Sequence, residues 1–132
     1  RYYEVLMKIF TWVAQVLLIL GFIAFGIPKL FVPIQDLIAF GMIWMEDFVT
    51  WQIRVIGFLE TLGVLGLTLP YFIKALPKIL IPIASAGLGL TMIGAIITHI
   101  ERQDPILSII ITSFIFLLCV IVTFKRYQEV QR

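Results

Sequence analysis

Seven residues in this sequence have types and positions suited to chemistry: Lys29, Trp51, Arg54, Glu60, Thr91, His99 and Glu101. Glu60 is the most demanding of them, because the stretch around it, "GFLETLGVLGL" over residues 57–67, is otherwise almost wholly apolar. A carboxylate near the middle of a bilayer costs about 2.5–3.5 kcal/mol on insertion scales, so it needs a partner, a proton or a task. A histidine exchanges protons near neutral pH, which makes Glu60 and His99 the candidate catalytic pair. Lys29 and Arg54 are cations able to stabilise a reduced, negatively charged ligand. Thr91 and Glu101 add polar groups, and Trp51, Phe22, Phe25 and Met92 are candidate apolar walls. Together they suit a quinone or similar amphiphile, which needs hydrogen-bond donors at its carbonyl oxygens and a route for protons.

Other chemistries fit less well. The single cysteine, Cys119, lies in an apolar run, so no intrachain disulfide or dithiol relay can form, and it reads as a small packed or lipid-facing residue. One histidine and no ligand spacing on a common face give no metal site and at most one haem ligand. No phosphate loop and no nucleophile–base pair are present.

The elements that must position these residues are membrane helices. Of 132 residues, 61% are hydrophobic and 14% charged, and the charges fall mainly near segment ends. Four apolar windows of about 20 residues follow, placed near residues 5–27, 50–72, 76–100 and 106–124. The first exceeds a signal-peptide core and lacks a small-residue cleavage pattern, so it is expected to remain as a helix. Pro77 and Pro105 are read as helix starts, with Asp104 as a cap before Pro105. No repeat or linker divides the chain, which is expected to form one all-α domain over residues 1–132, an integral membrane four-helix bundle.

Seven of the ten basic residues (Arg1, Lys8, Lys74, Lys78, Lys125, Arg126 and Arg132) fall on the side of the termini, which predicts that both termini are cytoplasmic. The net charge of +2 is thus a topology signal, and no nucleic-acid partner is expected. Trp44 and Trp51 mark the outer interface; Tyr2, Tyr3, Trp12, Tyr71 and Tyr127 mark the inner one. Between the first two spans, Leu30–Val49 places Ile34, Leu37, Ile38 and Met45 near helical spacing with Asp36, Glu46 and Asp47 off that face. This predicts an interfacial or partly re-entrant helix, or an amphipathic loop packed among headgroups.

Small residues in the second and third spans (Gly57, Gly63 and Gly66; Ala84, Ser85, Gly87, Gly89, Gly94 and Ala95) predict close packing there, with Glu60 near the seam. The fourth span, rich in Ile, Leu, Phe and Val, reads as the most lipid-facing. At about 1.5 Å per residue, Glu60 lies about 13 Å inside Trp51, close to the bilayer midplane. Two polar tiers result: Lys29, Arg54, His99 and Glu101 in the outer one, and Glu60 with Thr91, Thr112 and Ser113 in the deeper one. Arg54 is about 120° around the helix from Glu60, so the two are not an i,i+4 pair. Taken alone, Lys29 reads as a lysine that snorkels to the interface.

"GIPKL" at the end of the first span, "RVIGFLETLGVLGLTLP" in the second and "MIGAIITHIERQDP" in the third resemble the DoxX/DoxD family of small four-helix membrane proteins. The resemblance runs from about Phe22 to Pro105. It implies a fold held in common by a thiosulfate:quinone oxidoreductase subunit, proteins of oxidative-stress and thiol systems, and distant relatives that assist receptor assembly. Matched residue by residue, it points to Lys29, Glu60 and His99, with Gly57 and Gly63 as packing positions, and names no substrate.

Three function classes follow. The first is the membrane subunit of a redox-linked system in a bacterial or archaeal cytoplasmic membrane, binding quinone in the outer half of the bundle beside a partner protein subunit. The second is a non-enzymatic assembly factor or scaffold that docks through Leu30–Val49. The third is a small proton-linked transporter or lipid-binding protein.

Overall fold

The computed structural model describes residues 1–132, which form helices and turns with no strand. Helix α1 (Tyr2–Phe25) leads into the short α2 (Pro28–Phe31) and α3 (Ile34–Ala39), and a 3-10 turn follows at Ile43–Asp47. Then come α4 (Thr50–Thr68), a second 3-10 turn at Leu69–Tyr71, α5 (Leu80–Arg102) and α6 (Ile106–Gln131). Four helices, the α1–α2 unit, α4, α5 and α6, are long and apolar enough to cross a membrane. They close a ring in which α1 packs on α4 and α6, and α5 packs on α4 and α6. Both chain ends therefore lie at one end of the bundle, with the α2–α3 connection and the α5–α6 turn at the other.

The core follows from the stripe each helix buries. On α4, Ile53, Gly57, Glu60, Gly63, Val64 and Leu67 recur every three or four residues and all face inward. Val64 and Leu67 join Leu18 and Phe22 of α1, Leu88 and Met92 of α5, and Leu118 and Val122 of α6 in the main core. The glycines set the spacing: a Cβ at Gly63 would fall 2.5 Å from Leu88, and one at Gly66 would fall 2.5 Å from Ala84. Close α4–α5 packing thus matches the sequence reading. Between α5 and α6, the Ser85 and Thr123 hydroxyls meet at 2.8 Å, and Cys119 packs against Gly89 in the core. Helix α6 is the least buried of the four, as its composition predicts.

Several boundaries differ from the sequence reading. Helix α5 starts at Leu80, not near residue 76, with Pro77 in the turn before it, its carbonyl accepting from the Leu80 N–H. Helix α6 runs on to Gln131, so Lys125, Arg126 and Tyr127 are helical. Asp104 does not cap α6: the N-cap is Pro105, and no side chain bonds the first turn. The α5 helix closes instead with Gln103 in the left-handed region (φ 59°), and the Asp104 N–H reaches back to the His99 carbonyl at 3.0 Å. This Schellman-type closure folds Asp104 onto the last turn of α5.

The break between α1 and α2 has an equally local cause. The N–H groups of both Gly26 and Ile27 bond to the Phe22 carbonyl, widening the helix by one residue just before Pro28, which has no N–H to offer. After the break, Lys29 is buried. The rest of the connection is the expected amphipathic segment: Leu37 and Met45 are buried against Ile53, Ile34 and Ile38 pack around them, and Asp36, Glu46 and Asp47 are exposed.

Candidate functional site

Glu60 is 1% exposed, and its Oε1 accepts a hydrogen bond from Lys29 Nζ at 2.7 Å. Lys29 does not snorkel to the interface, because α2 returns it to the bundle and Gly57 gives it room. A Cβ at Gly57 would fall 2.7 Å from Lys29 Cβ. The two tiers expected from depth along the helices are therefore joined by one ion pair. Arg54 serves the same pair indirectly: its Nη1 donates to the carbonyls of Lys29 and Val32, both at 2.9 Å, pinning the end of α2. The Lys29 ammonium also lies 5.3 Å from the centre of the Trp44 ring.

Beside this pair lies a cavity of about 1000 Å³, lined by 28 residues of which 18 are hydrophobic. It occupies the half of the bundle next to the α2–α3 connection. Its walls come from all four spans, and Leu37 and residues 40–48 cover it through Phe40, Met42, Trp44 and Phe48. Most of the exposed wall residues lie on α1 (Leu17, Ala24, Phe25) and α6 (Ile111, Phe114), which puts the mouth at these two helices, on the lipid-facing side. A Cβ at Gly21 or Gly94, both on the wall, would meet nothing within 4 Å.

The ionisable residues on this wall are Lys29, Glu60 and His99. Thr91 is there too and approaches Glu60 from α5, while its hydroxyl donates to the Leu88 carbonyl at 2.7 Å. Thr112 lines the cavity with its hydroxyl donated to Ser108; Ser113 does not line it. Phe22, Phe25 and Met92 form walls as expected. Arg54 stands behind the wall, Glu101 is exposed, and Trp51, 66% exposed, faces outward, so these three expected ligand contacts lie outside the cavity. No three His, Cys, Asp or Glu side chains converge as a metal site would require.

His99 Nδ1 lies 2.7 Å from Asp104 Oδ2, and Arg102 Nε donates to the same carboxylate at 3.2 Å. Arg102 Nη1 also pairs with Asp47 Oδ2 of the cover at 2.7 Å. The bond from His99, reinforced by Arg102 and opposed by burial, holds the Asp104 carboxyl below the usual carboxylate range.

A sequence model of the DoxX-like family matches residues 13–122. The chain belongs to this family. No curated protein and no solved structure gives a match. In this DoxX-like protein, the three residues singled out by the family resemblance, Lys29, Glu60 and His99, are the ionisable groups that share the cavity.

One polar cluster was not visible in the sequence. At the end of the bundle that carries the termini, Gln15 is fully buried: its Nε2 donates to the Leu67 carbonyl and the Tyr71 hydroxyl, both at 3.1 Å, and its Oε1 accepts from Arg126 Nε at 2.6 Å. Arg126, one of the basic residues on the side of the termini, is 5% exposed and lies with its guanidinium 4.3 Å from the Trp12 ring centre. Its Nη1 bonds Glu129, while Nη2 has no hydrogen-bond partner. The available signal was Thr11 and Gln15 one turn apart in an apolar span, where polar side chains need partners.

Proposed function

We propose that this DoxX-like protein binds a lipid-soluble molecule with a flat polar head, of the quinone class, and acts as the membrane subunit of a redox-linked system. The supporting observation is the cavity: apolar over most of its wall, open toward lipid at α1 and α6, with Lys29, Glu60 and His99 as its ionisable groups. Its volume lies at the upper end of ordinary ligand sites, about 300–1,000 Å³, which leaves room for a ring and part of a chain. Gly21 and Gly94 keep that space clear, so the residues present fit such a ligand.

A bound quinone supplies two carbonyl oxygens that become hydroxyls on taking up two electrons and two protons. The protein's part is to place donors and handle protons. Lys29 gives one N–H to Glu60 and keeps others for a ligand oxygen, with its charge already balanced. His99 engages Asp104 through Nδ1 and has Nε2 for proton exchange. The cover and the apolar wall keep bulk water from both. In this reading the electrons are supplied by an associated protein subunit. By the distribution of Lys and Arg, the termini are cytoplasmic and the cavity lies in the outer half of the membrane.

The test is binding of a short-chain benzoquinone to the protein in lipid nanodiscs. Gly21→Leu and Gly94→Leu, which fill open space, should each weaken binding at least tenfold while leaving the thermal midpoint within a few degrees. Glu60→Gln and His99→Ala should lower quinone-coupled electron transfer in reconstituted membranes. Wild-type quinone affinity in both filled variants would end this reading.

A further inference from the structure

The inference concerns how His99 is presented to a ligand, and it rests on the binding reading above. Asp104 is ionised at neutral pH, and a carboxylate only accepts hydrogen bonds, so the 2.7 Å contact with His99 requires the proton on Nδ1. Neutral His99 then offers Nε2 as a bare acceptor. No protein group bonds Nε2, although the residue lines the cavity.

Asp104 cannot easily swing away. The closure at Gln103 fixes its backbone against His99, Arg102 Nε holds both carboxylate oxygens at 3.2–3.3 Å, and Arg102 is itself anchored to Asp47 of the cover. Other charged groups near His99 are accounted for: Lys29 and Glu60 are paired with each other, and Glu101, two residues on, is exposed. The wall therefore carries a cationic donor at Lys29 and an acceptor at His99.

We propose that Asp104 is a positioning residue that fixes the Nδ1–H tautomer of His99, so that Nε2 selects ligands whose head carries a hydroxyl donor, such as a quinol. A head without a donor leaves Nε2 desolvated and unpaired. The acceptor defines which redox form of the ligand the cavity holds best.

His99 is the single histidine of the chain, so ¹⁵N-histidine labelling gives one pair of ring-nitrogen resonances. At a pH well above the usual histidine value of about 6.5, the wild-type protein should show protonated Nδ1 and bare Nε2. Asp104→Ala should shift the population toward Nε2–H, Asp104→Glu should restore the original pattern, and Asp47→Asn should leave it unchanged. A retained far-UV helical signal confirms that each variant is folded. A short-chain benzoquinol should bind the wild-type protein about tenfold more tightly than its dimethyl ether, and Asp104→Ala should bring the ratio close to one. Nε2–H in the wild-type protein, a wild-type pattern in Asp104→Ala, or equal binding of quinol and ether by the wild-type protein would each overturn the assignment. The resonances and affinities are read without turnover. A protein inactive in electron transfer but with this selectivity would therefore refute only the redox role.

Discussion

Replacing Lys29 with methionine tests the ion pair on which the site is built. At 2.7 Å, opposite unit charges attract by about 6 kcal/mol at an effective dielectric of about 20. Methionine removes that attraction and also the cost of burying an ammonium, which offsets part of the loss. What remains is a carboxylate that is 1% exposed and has lost its ionic partner. Removing one member of a buried pair costs about 3–5 kcal/mol, and Lys29→Met is expected to fall in that range. Glu60→Met should cost a similar amount, because it strands the ammonium. The double variant puts apolar side chains in both places and is expected to lie within about 1 kcal/mol of the parent. Denaturant titration in mixed micelles, followed by helical signal, gives all four corners of the cycle. Single losses below about 1 kcal/mol that simply add in the double variant would refute the argument. A double variant that folds but no longer binds quinone would separate the pair's structural role from its functional one.

Three further outcomes follow from particular contacts. Gly57→Ala should destabilise by more than Gly63→Ala, since the first added methyl meets the Lys29 backbone at 3.0 Å while the second meets the side chain of Leu88; Gly87→Ala, with open space, should stabilise by about 0.5–1 kcal/mol in the same titration. Because the Asp104 carboxyl lies below its unfolded value, its stabilisation is complete at neutral pH and is lost as pH falls through the folded value; the thermal midpoint should drop below about pH 4, and less so in Asp104→Ala. Gln15→Leu removes the acceptor of Arg126 Nε and the donor to the Leu67 carbonyl, so it should cost about 1–3 kcal/mol in thermal or denaturant unfolding.

Helix count and the inward face of α4 were legible because both depend on local periodicity: a run of about 20 apolar residues, and polar or small residues recurring every three or four positions. The pairing of Glu60 is not, because depth along a helix follows from sequence only while its axis continues straight. The extra residue in the turn before Pro28 redirects the chain and carries Lys29 from the expected interface to the carboxylate. Asp104 next to Pro105 has the sequence signature of a cap for the helix after it, whereas the left-handed Gln103 assigns it to the helix before it. Gln15 and Arg126 lie 111 residues apart, and nothing local in either segment announces the other. The cavity depends on where side chains are missing, at Gly21 and Gly94, as much as on those present.

The Trp12–Arg126–Gln15–Tyr71 cluster ties α1, the end of α4 and α6 together at the end opposite the cavity. Prising α1 from α6 there breaks charged and aromatic contacts, whereas at the mouth it separates only apolar side chains that hydrocarbon can replace. The packing predicts a bundle that is stiff in the leaflet of the termini and compliant in the other, like tweezers with a riveted base. A hydrophobic molecule diffusing in the compliant leaflet meets the opening directly, while one in the opposite leaflet must first flip. Lateral pressure in that single leaflet, set by its lipid composition, acts directly on the width of the entrance.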